Sequence, residues 1–65
     1  MPFIQMEAGT VSQEQKQKLV AEFTQTASRI LGVDAAAFYV LIKENSTDNW
    51  GVGGMVLTER LRAGR

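Results

Sequence analysis

Pro2 follows Met1 directly and opens a stretch with the character of a strand. Inside a chain a proline nitrogen is an amide, with neither proton nor basicity. At an amino terminus it is a secondary amine. Methionine is commonly removed ahead of so small a residue, and removal of Met1 would expose that amine. A free α-amino group titrates near pH ~8, and apolar surroundings disfavour its cation, giving a base usable at neutral pH. Few other groups compete for the role, because the chain has no His and no Cys. The alternative for Pro2 is an ordinary strand opening, a position that proline tolerates.

The elements that must position this residue are readable from pattern. Phe3 to Ala8 is rich in strand formers and is closed by Gly9-Thr10. Ser12 and Gln15 fit a capping box, with Ser12 as N-cap and Gln15 reaching back from the third helical position. Leu19, Val20, Phe23, Ala27, Ile30 and Leu31 follow at spacings of three and four, the stripe of one amphipathic helix over 13–31. Gly32 stands where a C-cap glycine belongs. Asp34 caps a single turn through Ala35 to Ala37, and Phe38 to Lys43 reads as a second strand, apolar on both faces until its last residue. Asn45 to Asn49 is a polar loop. Three glycines in Gly51-Val52-Gly53-Gly54 imply tight turns rather than ordinary strand. Met55 to Leu57 reads as a short strand, and Thr58 to Arg65 as a charged tail.

Strand, helix and strand in this order make a β-α-β unit, an α/β fold whose strands are parallel and joined by a right-handed crossover. The helix covers one sheet face. The other would carry either Pro2, Ile4 and Met6 or Phe3, Gln5 and Glu7, and would be uncovered in a monomer. An uncovered apolar face is a docking surface. The chain is 65 residues long with 45% hydrophobic residues, so residues 1–65 form a single domain whose lone core is marginal. Disulfides and His or thiolate metal ligands are absent by composition, and oligomerisation is the remaining route to stability. Seven basic residues balance seven acidic ones, which gives no broad field for nucleic acid or anionic membrane. The longest apolar run, Ala35 to Ile42, is far shorter than the ~20 residues that span a bilayer. With no secretory signal in the opening residues, a soluble cytoplasmic protein is expected.

Met1-Pro2 before a strand, the capped helix at Ser12, the strand Phe38–Glu44 and Asn49-Trp50-Gly51-Val52-Gly53-Gly54 occur together. In combination they resemble the 4-oxalocrotonate tautomerase family, and within it the DmpI-type members. The resemblance covers essentially the whole chain. It implies a β-α-β protomer with a short C-terminal hairpin, a homo-hexamer built as a trimer of dimers, and cofactor-independent proton transfer on a small 2-oxo acid by the terminal proline, here Pro2. Trp50 falls where the family carries an aromatic residue that keeps the proline's pocket apolar; packing of the glycine turn is its other role.

Two family features are missing. The family's arginines follow the first strand and lie in the second; here those places read Gly9-Thr10-Val11 and Tyr39. Tyr39 offers a phenolic donor to a developing enolate oxygen, or an aromatic surface for a subunit interface. Lys43 shares a strand face with Tyr39 and Leu41 and offers a point charge for a carboxylate, or is a solvated strand-end lysine. Arg60 or Arg62 of a neighbouring copy is a further source of charge. Two functions follow from these readings: a keto–enol tautomerase using Pro2, or a non-catalytic oligomeric protein of the same fold.

Overall fold

The computed structural model describes residues 1–63. Strand β1, Phe3–Ala8, leads into helix α1, Gln13–Leu31, and back into strand β2, Tyr39–Glu44. A short hairpin follows, β3 (Gly51–Val52) and β4 (Met55–Val56), and helix α2 (Leu57–Ala63) ends the described chain. β1 and β2 pair in parallel from Phe3 opposite Tyr39 to Ala8 opposite Glu44. This is the expected β-α-β unit.

Helix α1 has the boundaries its periodicity predicts, because both ends are capped. The Ser12 side chain accepts from the Gln15 N–H at 3.1 Å, while the Gln15 side chain accepts from the Ser12 N–H at 2.9 Å. At the other end Gly32 adopts φ 69° and its N–H donates to the Ser28 carbonyl at 2.9 Å. A left-handed residue costs glycine nothing, so the helix stops there. Asp34 then accepts from the Ala36 N–H at 3.2 Å and caps the 3₁₀ turn Ala35–Ala37.

Alternation along the strands settles which set of residues the helix covers. Ile4, Met6, Ala8, Val40 and Ile42 are half-buried, whereas Phe3, Gln5, Glu7, Tyr39, Leu41 and Lys43 are exposed. The uncovered face therefore carries the Phe3 set, laid out in register as Phe3 with Tyr39, Gln5 with Leu41, and Glu7 with Lys43.

Two expectations are corrected. Gly51 and Val52 do form strand, pairing with Val56 and Met55, because Gly53 and Gly54 take φ 61° and 85° and close the hairpin between them. Positive φ at both central residues makes the tight turn whose twist matches two short strands. The expected charged tail is helical instead, over Leu57–Ala63. Leu57 and Leu61 recur one turn apart, Glu59 sits in the first turn, and Arg62 pairs with Glu59 at 3.1 Å. These charges complement the helix dipole. Residues 64–65 of that expectation, Arg65 included, lie outside the described residues.

No described side chain is fully buried in the single chain. Its radius of gyration is 15.5 Å, against about 11 Å for a compact domain of this length. Its accessible surface is 5071 Å², against about 4,100 Å² expected for a folded monomer of this mass. Phe3, Ile30, Leu31 and Tyr39 are each more than half exposed. On the helix side, Ile4, Leu19, Phe23, Ala27 and Ile30 line an open apolar groove of about 630 Å³. The protomer has two faces of a core and the interior of neither.

Candidate functional site

Pro2 is placed by the sheet. Its carbonyl accepts from the Tyr39 N–H at 3.1 Å, extending the parallel ladder by one bond beyond Phe3. Met1, ahead of it, is 87% exposed. Beside Pro2 the open sheet face begins with Phe3 and Tyr39, 59% and 61% exposed. This end of the protomer is therefore apolar and aromatic, with one phenolic hydroxyl.

Lys43 and Trp50 occupy the other end. Lys43 lies opposite Glu7, four residues beyond Tyr39 on the same face of β2. At the ~3.3 Å rise of a strand this puts their Cα atoms about 13 Å apart. Trp50 is half-buried beyond the end of β2, where its indole Nε1 donates to the Asn45 carbonyl at 3.2 Å. Its own carbonyl accepts from the Leu57 N–H at 2.8 Å, which ties the aromatic ring's residue to the start of α2. Within one protomer Pro2 and Tyr39 are brought together, as are Lys43 and Trp50, but the two pairs stand at opposite ends of the sheet.

Asn45 is fixed in turn to β1. Its N–H donates to the Ala8 carbonyl at 2.8 Å, and its side-chain Nδ2 donates to Glu7 Oε1 at 3.1 Å. Glu44 forms a second tie at the same end. One of its carboxylate oxygens accepts from the Val11 N–H at 2.9 Å and the other meets Lys16 Nζ at 3.0 Å. The Val11 hydrogen bond, with the Lys16 ammonium, holds the Glu44 carboxyl below its ordinary pKa. Sequence reasoning missed Glu7, Glu44 and Asn45. A strand ending in Lys-Glu-Asn offers no periodic signal, and their partners are 28 to 38 residues away.

Of the described basic residues, Lys16 is engaged by Glu44, Lys18 by Glu14 and Arg62 by Glu59. The loop Gly9-Thr10-Val11 contributes no cation, and Tyr39 stands on β2 where one would share the face with Pro2's neighbour Phe3. Among the described residues no group of three or more acidic, His or Cys side chains is arranged to hold a metal ion. No described helix is long and apolar enough to cross a membrane.

A family model described as "Tautomerase enzyme" matches residues 2–60, beginning at Pro2 and running through the hairpin into α2. The chain belongs to the tautomerase family. It is 45% identical over 62 residues to "Probable tautomerase K2" of Dickeya dadantii (strain 3937), with 92% of each chain covered. Its fold is similar to that of TomN, a 4-oxalocrotonate tautomerase homologue in the tomaymycin biosynthetic pathway. That match has a TM-score of 0.93 at 26% identity, covering 98% of this chain and 100% of TomN. It is also similar to a heterohexameric 4-oxalocrotonate tautomerase from Chloroflexus aurantiacus J-10-fl, with a TM-score of 0.79 at 25% identity over 91% and 95% of the two chains. The tautomerase fold implied by the resemblance is thus the fold the chain adopts, and the protein is an isomerase of the 4-oxalocrotonate tautomerase type.

Proposed function

We propose that this tautomerase interconverts enol and keto forms of a small 2-hydroxy-enoic or 2-oxo acid, without cofactor, using Pro2 as the base once Met1 is removed. The observation that carries the reading is the placement of Pro2, hydrogen-bonded through its carbonyl to β2 at the edge of an open aromatic surface. In the forward direction the amine of Pro2 accepts the enol hydroxyl proton. The carbon–oxygen double bond forms as the carbon–carbon double bond opens, and the proton is returned to carbon. No atom is gained or lost. The Tyr39 hydroxyl donates to the oxygen on which charge develops.

Trp50 and Lys43 enter from a second copy of the chain. One protomer holds Lys43 about 16 Å from Pro2, the length of five strand residues, and Trp50 farther off beyond the end of β2, so they cannot serve the Pro2 of their own chain. A copy running antiparallel lays its Trp50 end against the first chain's Pro2 end. The extended shape and unfinished core support such an assembly, a soluble cytoplasmic homo-hexamer in this reading. Trp50 then excludes water from Pro2, and Lys43 supplies a point charge for the substrate carboxylate.

A second reading, a non-catalytic protein of the same fold, is favoured by the absence of cations at Thr10, Val11 and Tyr39. An ultraviolet assay of phenylenolpyruvate and 2-hydroxymuconate, on protein shown by intact mass to begin at Pro2, separates the two. Turnover of either enol supports the tautomerase; turnover of neither leaves the structural reading.

A further inference from the structure

We propose that Asn45 is a positioning residue that holds the Trp50 ring, and that Glu7 acts through it by fixing its side chain. The inference rests on the reading of Trp50 as the wall of the Pro2 pocket. Trp50 follows the 3₁₀ turn Thr47–Asn49, and its backbone is tied to the Thr47 carbonyl and the Leu57 N–H, which leaves the ring itself to be oriented by its indole N–H. Its indole N–H has a single partner, the backbone carbonyl of Asn45 at 3.2 Å. That carbonyl is only as well placed as Asn45 itself. Two bonds to consecutive residues of β1 place it: the backbone bond to Ala8 at 2.8 Å and the side-chain bond to Glu7 at 3.1 Å. Together they prevent the chain leaving β2 from pivoting about the last ladder bond.

The chemistry of the pair is specific. Glu7 is an acceptor and Asn45 Nδ2 a donor, so what Glu7 supplies is an oxygen rather than a charge. A glutamine at position 7 keeps the oxygen. An aspartate at position 45 sets two carboxylates against each other, and a glutamine at position 7 then restores a donor between them. Neither residue is needed to touch substrate. Each acts on the reaction through the direction of one indole ring, and a ring displaced by an ångström or so readily costs tenfold or more in rate.

The test uses the full chain beginning at Pro2, and Trp50 is its only tryptophan, so circular dichroism and fluorescence read at the long-wavelength edge of the near ultraviolet, where Tyr39 and the three phenylalanines do not absorb, report on that ring. Asn45→Ala and Glu7→Ala are expected to lose the ordered Trp50 signal and about tenfold or more of kcat/KM for phenylenolpyruvate, with the far-ultraviolet spectrum unchanged. Glu7→Gln should remain within about twofold of wild type in both. Asn45→Asp should resemble Asn45→Ala, and adding Glu7→Gln to it should restore the Trp50 signal. Alanine variants that keep an unchanged Trp50 signal overturn the proposal, as does a Glu7→Gln variant as impaired as Glu7→Ala. Should Asn45→Ala fail to fold, recovery of the signal in the Asn45→Asp, Glu7→Gln double variant supports the proposal and its absence overturns it. A wild type that turns over no enol removes the catalytic reading alone, because the spectroscopic comparison still decides whether Asn45 holds the ring.

Discussion

The N–H of Tyr39 donates to the carbonyl of Pro2 at 3.1 Å, so the residue proposed as the base and the residue carrying the chain's one phenol are joined through their backbones. Both side chains are free of that bond. A substitution at either position therefore alters chemistry while leaving the ladder that places them intact.

Pro2→Ala uses this separation. It keeps an amino terminus and the carbonyl that accepts from Tyr39, but exchanges a secondary amine for a primary one. General-base contributions are typically 10²–10⁴-fold, and kcat/KM is expected to fall within that range with circular dichroism unchanged. A loss below about tenfold would assign the base elsewhere.

Substrate charge supplies the next prediction. Thr10, Val11 and Tyr39 cannot compensate a dianion, and leaving a buried carboxylate without its partner costs several kcal/mol. The aromatic row of Phe3 and Tyr39 suits a monoanionic aryl enol. Phenylenolpyruvate is expected to be turned over with a higher kcat/KM than 2-hydroxymuconate, and Tyr39→Arg to move the ratio toward the dicarboxylate. Lys43→Ala should weaken both substrates through KM. A tenfold preference of the wild type for 2-hydroxymuconate would contradict this account.

Much of this layout was legible in the residues, and its limits have physical causes. Helix α1 declared itself because Ser12, Gln15 and Gly32 satisfy its ends locally and its apolar stripe repeats over five turns. The sheet face remained ambiguous, since β1 has apolar residues at both parities; only the packing of Ile4 and Met6 under α1 decided it. α2 was read as a tail because seven residues give two apolar positions, Leu57 and Leu61, too few to establish a period. Pro2, Tyr39, Lys43 and Trp50 were singled out as candidates by type and place, and the structure divides them between the two ends of one sheet. Spacing alone sets Lys43 four strand residues beyond Tyr39, but that Pro2 stands at the Tyr39 end needed the parallel register.

The hairpin glycines separate stability from catalysis. An added Cβ at Gly32, Gly53 or Gly54 meets no atom within 4 Å, so the cost of alanine there is the left-handed backbone alone. That cost is about 1 kcal/mol, or roughly 4–8 °C in Tm for a domain this small. Gly32→Ala, at the end of α1, should lower Tm with kcat/KM nearly unchanged. Gly53→Ala should lower both, because it disturbs the hairpin attached to Trp50. Equal kinetic effects of the two would argue against a role for the hairpin in the site.

Acid sensitivity follows from Glu44. Its folded pKa lies below the ordinary value of 4.5, through the Val11 N–H first and Lys16 second. A carboxyl lowered in the folded state contributes stability above its unfolded pKa and loses it as pH falls through the folded value. Glu44→Gln is therefore expected to be less stable than wild type at pH 7, the difference shrinking below about pH 4.5. A difference independent of pH, measured by thermal unfolding, would assign the effect to packing.

Assembly is tested by concentration. With no described side chain fully buried in one chain, the proposed assembly completes the interior between copies, and Tm should rise with protein concentration. Leu41→Lys, on the open sheet face, should dissociate the oligomer. A folded monomer at micromolar concentration in light scattering would contradict the account.

The claim on which the rest depends is that the nitrogen of Pro2 is the base. Its most direct measurement compares kcat/KM for phenylenolpyruvate between the chain beginning at Pro2 and the same chain with Met1 retained, each verified by intact mass. Met1 turns that nitrogen into a tertiary amide that cannot accept a proton. The account predicts activity in the first form and a loss of at least about 10²-fold in the second; equal activity in the two would contradict it.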